Sequence, residues 1–283
     1  MTTGGQAVGR VGGQIVADLD RLDTRPPDHL GVDVDWTLAI DGRGRSGAEN
    51  MAIDVALLRE AQAGRAALRL YRWSPPCLSF GRNEPALSRY DPGRIAERGL
   101  ATVRRPTGGR AVWHENEVTY AVAAPCDHFG SLPEAYRAIH RMLSRALARL
   151  GVPATLAARR GRAPAPGAGA CFASPVGGEI VAGGRKLVGS AQVRQGTAFL
   201  QHGSILLTDG QKVVTDVSIR QTIGTGATSL SAVLGRSVTF EEVADAIIAE
   251  ARASWTGRWT ERRPEPSAAE IACFADEGWT WRR

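Results

Sequence analysis

Lysine and arginine together number 35 in this 283-residue chain, yet only Lys186 and Lys212 are lysine. Where arginine serves for almost every cation, a retained lysine is a candidate for work a guanidinium cannot do, because a partly buried ammonium can release its proton. Lys186 lies in residues 184–192 (GRKLVGSAQ), whereas Lys212 ends the turn-like run 209–212 (DGQK) and reads as a surface residue. A second candidate is residues 103–114 (VRRPTGGRAVWH), where Gly108 and Gly109 form a tight turn beside basic side chains. Glycines in such a turn let backbone N–H groups approach a carboxylate, phosphate or oxyanion. Residues 201–204 (QHGS) add an imidazole, His202.

The cysteines, Cys77, Cys126, Cys171 and Cys273, lie far apart with no CxxC pair, so neither a structural zinc site nor a disulfide framework is expected. Taken singly, a free cysteine is most often a small buried apolar residue, and that reading stands for Cys77, Cys126 and Cys273. His114 beside Glu115 and Glu117 suggests a metal, but the segment reads as one strand, on which positions 115 and 117 share the face opposite 114. No metal is expected. His202 either faces a substrate carbonyl or packs, and both readings stay open. His140 reads as a surface or core histidine. Residues 224–226 (GTG) lack the following glycine and βαβ setting of a dinucleotide fingerprint.

In this order the motifs resemble the lipoate-protein ligase and octanoyltransferase superfamily, which shares its catalytic fold with biotin protein ligases. The resemblance rests on an Arg-Arg-x-Thr-Gly-Gly-x loop ending in His114, and on a Gly-x-Lys, two residues, Gly-Ser-Ala run. Residues 50–54 (NMAID) and 79–83 (SFGRN) extend it over residues 36–207. It implies a biotinyl/lipoyl protein ligase-like catalytic domain. It also implies a substrate-binding set of Arg104, Arg105, Thr107, Gly108, Gly109, Arg110, His114, Gly189, Ser190, Ala191, His202 and Gly203.

Cys171-Phe172 resembles the octanoyltransferase branch typical of Gram-positive bacteria, in which a cysteine before the Gly-x-Lys strand is the acyl-thioester nucleophile. The implied catalytic pair is Cys171 and Lys186, 15 residues apart. A thiol near its ordinary pKa of about 8.5 is mostly protonated at neutral pH, and a neighbouring ammonium favours the thiolate. The implied reaction moves an octanoyl group from acyl carrier protein, through the cysteine, to a lysine of a lipoyl domain, with no cofactor required. Backbone N–H groups around Gly108-Gly109 or Ser190-Ala191 are candidates for holding the oxyanion, and Lys186 for accepting the amine's proton.

Arg110 stands where the ligases have a third glycine, and Glu115 follows the histidine where Asp is common. An ATP-dependent lipoate ligase working with Mg through lipoyl-AMP, an amidotransferase between lipoyl domains, and a non-catalytic basic binding protein remain as alternatives. Such ligases generally lack the cysteine and often carry an accessory C-terminal domain, while 76 residues follow Leu207 here. Octanoyl and lipoyl are not distinguished as the acyl group.

Several elements must position these residues. Met51, Val55 and Leu58 mark one face of a first helix, and residues 68–73 (LRLYRW) alternate as a strand before Pro75-Pro76. Residues 131–134 (SLPE) cap a second helix striped by Ile139, Leu143, Leu147 and Leu150 and ended by Gly151; residues 239–242 (TFEE) cap a third, to Ser254. Between them residues 178–207 read as a meander divided at Gly183-Gly184 and Gln195-Gly196. The sum is an α+β fold of mixed and antiparallel β-sheets flanked by helices.

Residues 1–34 read as a flexible tail, 35–254 as the catalytic domain and 255–283 as a tryptophan-containing C-terminal extension without placeable periodicity. Residues 159–170 (RRGRAPAPGAGA) read as a mobile loop leading to Cys171. At 43% hydrophobic the chain can bury a sizeable core, and no apolar run approaches the roughly 20 residues that cross a bilayer. With no signal-peptide pattern, a cytoplasmic protein is expected. A formal charge of +6 favours an acidic partner such as a carrier protein, but the basic residues are too scattered for a nucleic-acid footprint.

Overall fold

The computed structural model describes residues 34–157, 178–220 and 226–282. The expected N-terminal tail, the loop at 159–170 and the pair Cys171-Phe172 lie outside the described residues, save for Val34.

The chain opens with β1 (Trp36–Arg45), α1 (Gly47–Gln62), β2 (Ala66–Trp73) and β3 (Cys77–Phe80). It continues through β4 (Ala101–Arg104), β5 (Val112–His114), β6 (Glu117–Pro125), α2 (Leu132–Arg149) and β7 (Ala154–Leu156). Next come β8 (Ile180–Ala182), β9 (Arg185–Lys186), β10 (Val188–Gln195) and β11 (Ala198–Leu206). Last are α3 (Phe240–Ser254), β12 (Trp259–Glu261) and α4 (Ala268–Ala275), with short helical turns between these elements.

One sheet has six strands in the order β10-β11-β6-β2-β1-β12, with β1 parallel to β2 and β12 and the other pairs antiparallel. Two three-stranded sheets, β4-β3-β5 and β7-β8-β9, flank it. The mixed and antiparallel α+β architecture expected from the sequence is the one observed.

Strand alternation divides the side chains of the large sheet. Leu68 and Leu70 of β2 and Val118, Tyr120 and Val122 of β6 pack with Ile139, Leu143 and Leu147 of α2 and Val243 and Ile247 of α3. Tyr71, Ala121, Ala123 and Leu200 face the other way, against Met51, Ile53, Leu57 and Leu58 of α1. The expected capping boxes, Ser131 with Glu134 and Thr239 with Glu242, are present at α2 and α3, and a further one, Ser46 with Glu49, begins α1. Gly183 and Gly196 turn the meander at φ +56° and +58°, a region open to glycine at little cost. The meander spans two sheets, β8 and β9 in the small one and β10 and β11 in the large one.

The tryptophans of residues 255–282 find their partners here. Trp36 stacks on Trp255 and Trp259 with centroids 4.8 and 4.9 Å away, β12 extends the large sheet beside β1, and Trp281 meets Phe80.

Candidate functional site

The face of the large sheet toward α1 carries most of the polar residues singled out above. Asn50 and Asp54 lie one turn apart on the buried side of α1. Arg69, fully buried, donates to Asn50 Oδ1 at 2.7 Å and to Asp54 Oδ1 at 2.9 Å. Asp54 Oδ2 accepts from Tyr71 OH and from His202 Nδ1, each at 2.9 Å. With its Nδ1 proton given to a carboxylate, His202 turns Nε2 to Thr107 Oγ1 at 2.6 Å. Both ring nitrogens are therefore engaged, Nδ1 with Asp54 of α1 and Nε2 in holding the Thr-Gly-Gly loop to β11, and the ring also borders the hollow described below.

A parallel chain runs through His114. Arg105 Nη1 donates to Ser79 Oγ at 2.6 Å, so the serine proton turns to His114 Nε2, also 2.6 Å away. His114 Nδ1 then donates to Glu117 Oε1 at 2.7 Å. Burial holds the His114 pKa below its ordinary value in spite of Glu117, which keeps the ring neutral. Trp73 stacks on it with centroids 4.0 Å apart. The expectation that His114 and Glu117 face apart is corrected here. Residues 115–116 bend between β5 and β6, so the run is two strands in different sheets and not one. Among the described residues no group of three or more His, Cys, Asp or Glu is arranged to hold a metal ion.

Between these chains lies a small hollow, about 30 Å³ in volume and open to solvent. Met51, Tyr71, Trp73 and Val112 supply its apolar wall, and Arg105, His114, His202 and the Gly189-Ser190-Ala191 and Gly203-Ser204 runs border it. Arg105 braces the glycine loop, donating to the carbonyls of Gly108 and Arg110 at 3.1 and 2.9 Å. Gly109 sits at φ +96°. Gly81 packs so close that a Cβ there would lie 2.0 Å from the Gly109 carbonyl oxygen. The close approach accounts for the glycine at position 81 and the positive φ for that at 109, whereas a Cβ on Gly108 would meet open space.

Arg104, next to Arg105, points elsewhere. Its guanidinium donates to carbonyls of Gly81 and Glu84 at 2.7 and 2.8 Å, and to those of Thr280 and Arg282 at 3.0 Å each. It ties the C-terminal residues to the loop after β3.

Lys186 is 2% exposed, and Lys212, paired with Asp216, has a side chain 82% exposed. Lys186 donates from Nζ to Glu179 Oε1 at 2.6 Å, and its own strand hydrogen bonds to Gly226 and Thr228 pin the backbone. Nearby, His140 of α2 contacts Ser190 and the Gly178 carbonyl. Burial, followed by the charge of Lys186, pushes its pKa down to about 4. Gly178 N donates to Ala157 O at 2.8 Å, so the two ends of the Cys171-bearing segment are pinned together beside Glu179. Of the other cysteines, Cys77 is buried with its thiol pushed up to about 12 by desolvation, Cys126 is half-buried and Cys273 is exposed.

Asp54, Ser79 and Glu179 belong to these networks but were not singled out from the sequence, while Glu117 was weighed only as a metal ligand and His140 only as a surface or core histidine. Asp54 lies in the quoted NMAID run and Ser79 in SFGRN. His140, adjoining the apolar stripe of α2, carries the faint signal of a polar residue at a core-facing edge.

Residues 46–252 match the family model described as the lipoyl protein ligase A/B catalytic domain. An octanoyltransferase LipM of Kyrpidia tusciae is 38% identical over 88% of this chain and 99% of its own length, and that of Symbiobacterium thermophilum is 34% identical over 89% and 100%. Among solved structures, a lipoate-protein ligase A bound with ATP superposes with a TM-score of 0.69 at 20% identity, covering 88% of this chain and 99% of that one. Protein Ta0514 of T. acidophilum, solved with bound lipoic acid, gives 0.67 at 21% identity, covering 88% and 100%. By motifs, fold and sequence kinship alike, this chain belongs to the lipoyl protein ligase A/B catalytic-domain family, alongside the LipM octanoyltransferases.

Proposed function

We propose that this protein takes an octanoyl group from acyl carrier protein onto Cys171 as a thioester and delivers it to a lysine amine of a lipoyl domain in the cytoplasm, without ATP. The observation that carries this reading is the apolar-walled hollow bordered by the glycine loop, His202 and the Gly-Ser-Ala strand. Its apolar wall matches the hydrocarbon of an acyl group in chemistry, and its polar border suits the reacting carbonyl.

Lys186 supplies the cation that favours the Cys171 thiolate, drawing on a charge already held by Glu179. Exchange of an acyl group between thiols is nearly isoenergetic, and passage from thioester to amide is downhill, so neither step calls for a nucleotide. Backbone N–H groups of Gly108-Gly109 or Ser190-Ala191 stabilise the tetrahedral oxyanion. Arg105, Thr107 and His202 keep the glycine loop in place, and His114 walls the acyl chain. Arg104 and Arg110 belong to the same loop, and Gly203 to the strand facing Ser190.

The test is octanoylation of a lipoyl domain, followed by gel shift. Modification from octanoyl carrier protein in the absence of ATP supports the reading. Modification only with ATP, Mg and free octanoate or lipoate contradicts it in favour of a ligase.

A further inference from the structure

Ser190, Gly203 and Tyr120 stand in register across β10, β11 and β6. Directly opposed residues of antiparallel strands share a face, and Gly203 leaves the middle place empty. A Cβ there would sit 2.7 Å from Ser190 Oγ and 2.8 Å from the Tyr120 ring. Across that gap the Tyr120 and Ser190 hydroxyls meet at 2.6 Å.

This bond belongs to a longer chain whose polarity is set from both ends by backbone carbonyls, which only accept. At one end Gln192 Nε2 donates to Leu132 O at 3.2 Å and to Gln201 Oε1 at 2.8 Å. Gln201 Nε2 is thereby turned to Tyr120 OH, 2.8 Å away, and Tyr120 donates onward to Ser190. At the other end His140 Nδ1 lies 2.6 Å from Gly178 O and must carry the ring proton. Its Nε2 is bare and lies 2.8 Å from Ser190 Oγ but 3.5 Å from Tyr120 OH, so the nearer Ser190 donates to it. A serine hydroxyl has one proton and two lone pairs. The proton is spent on His140 and one lone pair on Tyr120; one acceptor position remains. Of these residues Ser190 alone borders the hollow, and it is partly exposed.

We propose that Ser190 Oγ is an acceptor-only group at the rim of the hollow that takes an N–H of the incoming lysine amine, with His140 as the positioning residue that fixes its polarity; this rests on the octanoyl-transfer reading above. A carbonyl oxygen or oxyanion finds no donor in this hydroxyl, whereas an amine finds an acceptor. In the step served, the nitrogen lone pair attacks the thioester carbonyl carbon and the C–N bond forms. The C–S bond breaks with its electron pair going to sulfur, and the proton lost by nitrogen ends on that sulfur. Ser190 keeps its own proton throughout.

The two half-reactions are measured separately on the full chain: acylation by octanoyl carrier protein, followed by mass, and single-turnover transfer from the acylated protein to a lipoyl domain. Ser190→Ala is expected to acylate at the wild-type rate and to transfer about tenfold more slowly, the loss of roughly one hydrogen bond. Tyr120→Phe leaves the Ser190 to His140 bond in place and is expected to retain transfer. Equal slowing of both half-reactions in Ser190→Ala, no slowing of either, or an equal transfer defect in Tyr120→Phe overturns the proposal. If wild-type protein is never acylated, the functional reading falls and this proposal with it. A wild type that acylates normally confines any failure to the proposal.

Discussion

Lys186 Nζ and Glu179 Oε1 lie 2.6 Å apart, and both side chains are buried. Removing one member of a buried ion pair is destabilising, and for two groups in direct contact removing both costs less than the sum of the single losses. Lys186→Met and Glu179→Gln should each lower stability in urea unfolding, and the double variant should recover part of the loss. Strict additivity would show that the two charges do not depend on each other.

A guanidinium at this position keeps the charge but cannot release its proton to the departing sulfur and so cannot take one from the amine in exchange. Lys186→Arg should therefore retain the thiolate yet lose turnover. The check is the pH dependence of Cys171 alkylation beside octanoyl transfer. Transfer at the wild-type rate would remove Lys186 from proton handling.

His140 is held neutral by burial, with its pKa down to about 4 from an ordinary 6.5. The unfolded chain then binds the extra proton between those values, so stability rises with pH across that window. The contribution is fully present above pH 6.5, is lost as pH falls through 4, and amounts to about 3 kcal/mol. Urea unfolding at pH 7, 5.5 and 4 should show this slope, and His140→Gln should flatten it. An unchanged slope would show that His140 titrates normally.

Thr107 Oγ1 and His202 Nε2 are bonded in a buried place, so Thr107→Val leaves the ring nitrogen unsatisfied at about 1–3 kcal/mol. The glycine loop should loosen, raising KM for the octanoyl donor more than it lowers kcat. A kcat loss with KM unchanged would argue against a loop-positioning role.

Arg104 holds the chain end through carbonyls of residues 280 and 282 with a planar fork that a lysine ammonium cannot reproduce. Arg104→Lys should speed chymotrypsin cleavage at Trp279 and Trp281. Cleavage at the wild-type rate would mean that the other contacts of this segment, Trp281 against Phe80 and Trp279 Nε1 on the Arg104 carbonyl among them, suffice to fix it.

Local signals were legible where the cause is local. The Ser131-Glu134 and Thr239-Glu242 caps and the glycine turns at 183 and 196 each depend on neighbours a few residues away. Pairings made by strand order were not legible. Glu117 reaches His114 because the chain changes sheets at residues 115–116. Ser190 reaches Tyr120 because β11 places a glycine between them. His140 and Gly178 are 38 residues apart in sequence. The scarcity of lysine pointed to Lys186, but the Glu179 beside it becomes visible only when β8 and β9 pair. The tryptophans at 255 and 259 lack periodicity because they serve a stack around Trp36, not a helix face.

The central claim is a thioester on Cys171, and intact mass spectrometry after incubation with octanoyl carrier protein, without ATP, addresses it directly. The account predicts a single hydroxylamine-sensitive octanoyl adduct on the wild-type protein that is absent from Cys171→Ser, with Cys273→Ser unaffected. An adduct that survives Cys171→Ser, or lipoyl-domain modification by that variant at the wild-type rate, would contradict it.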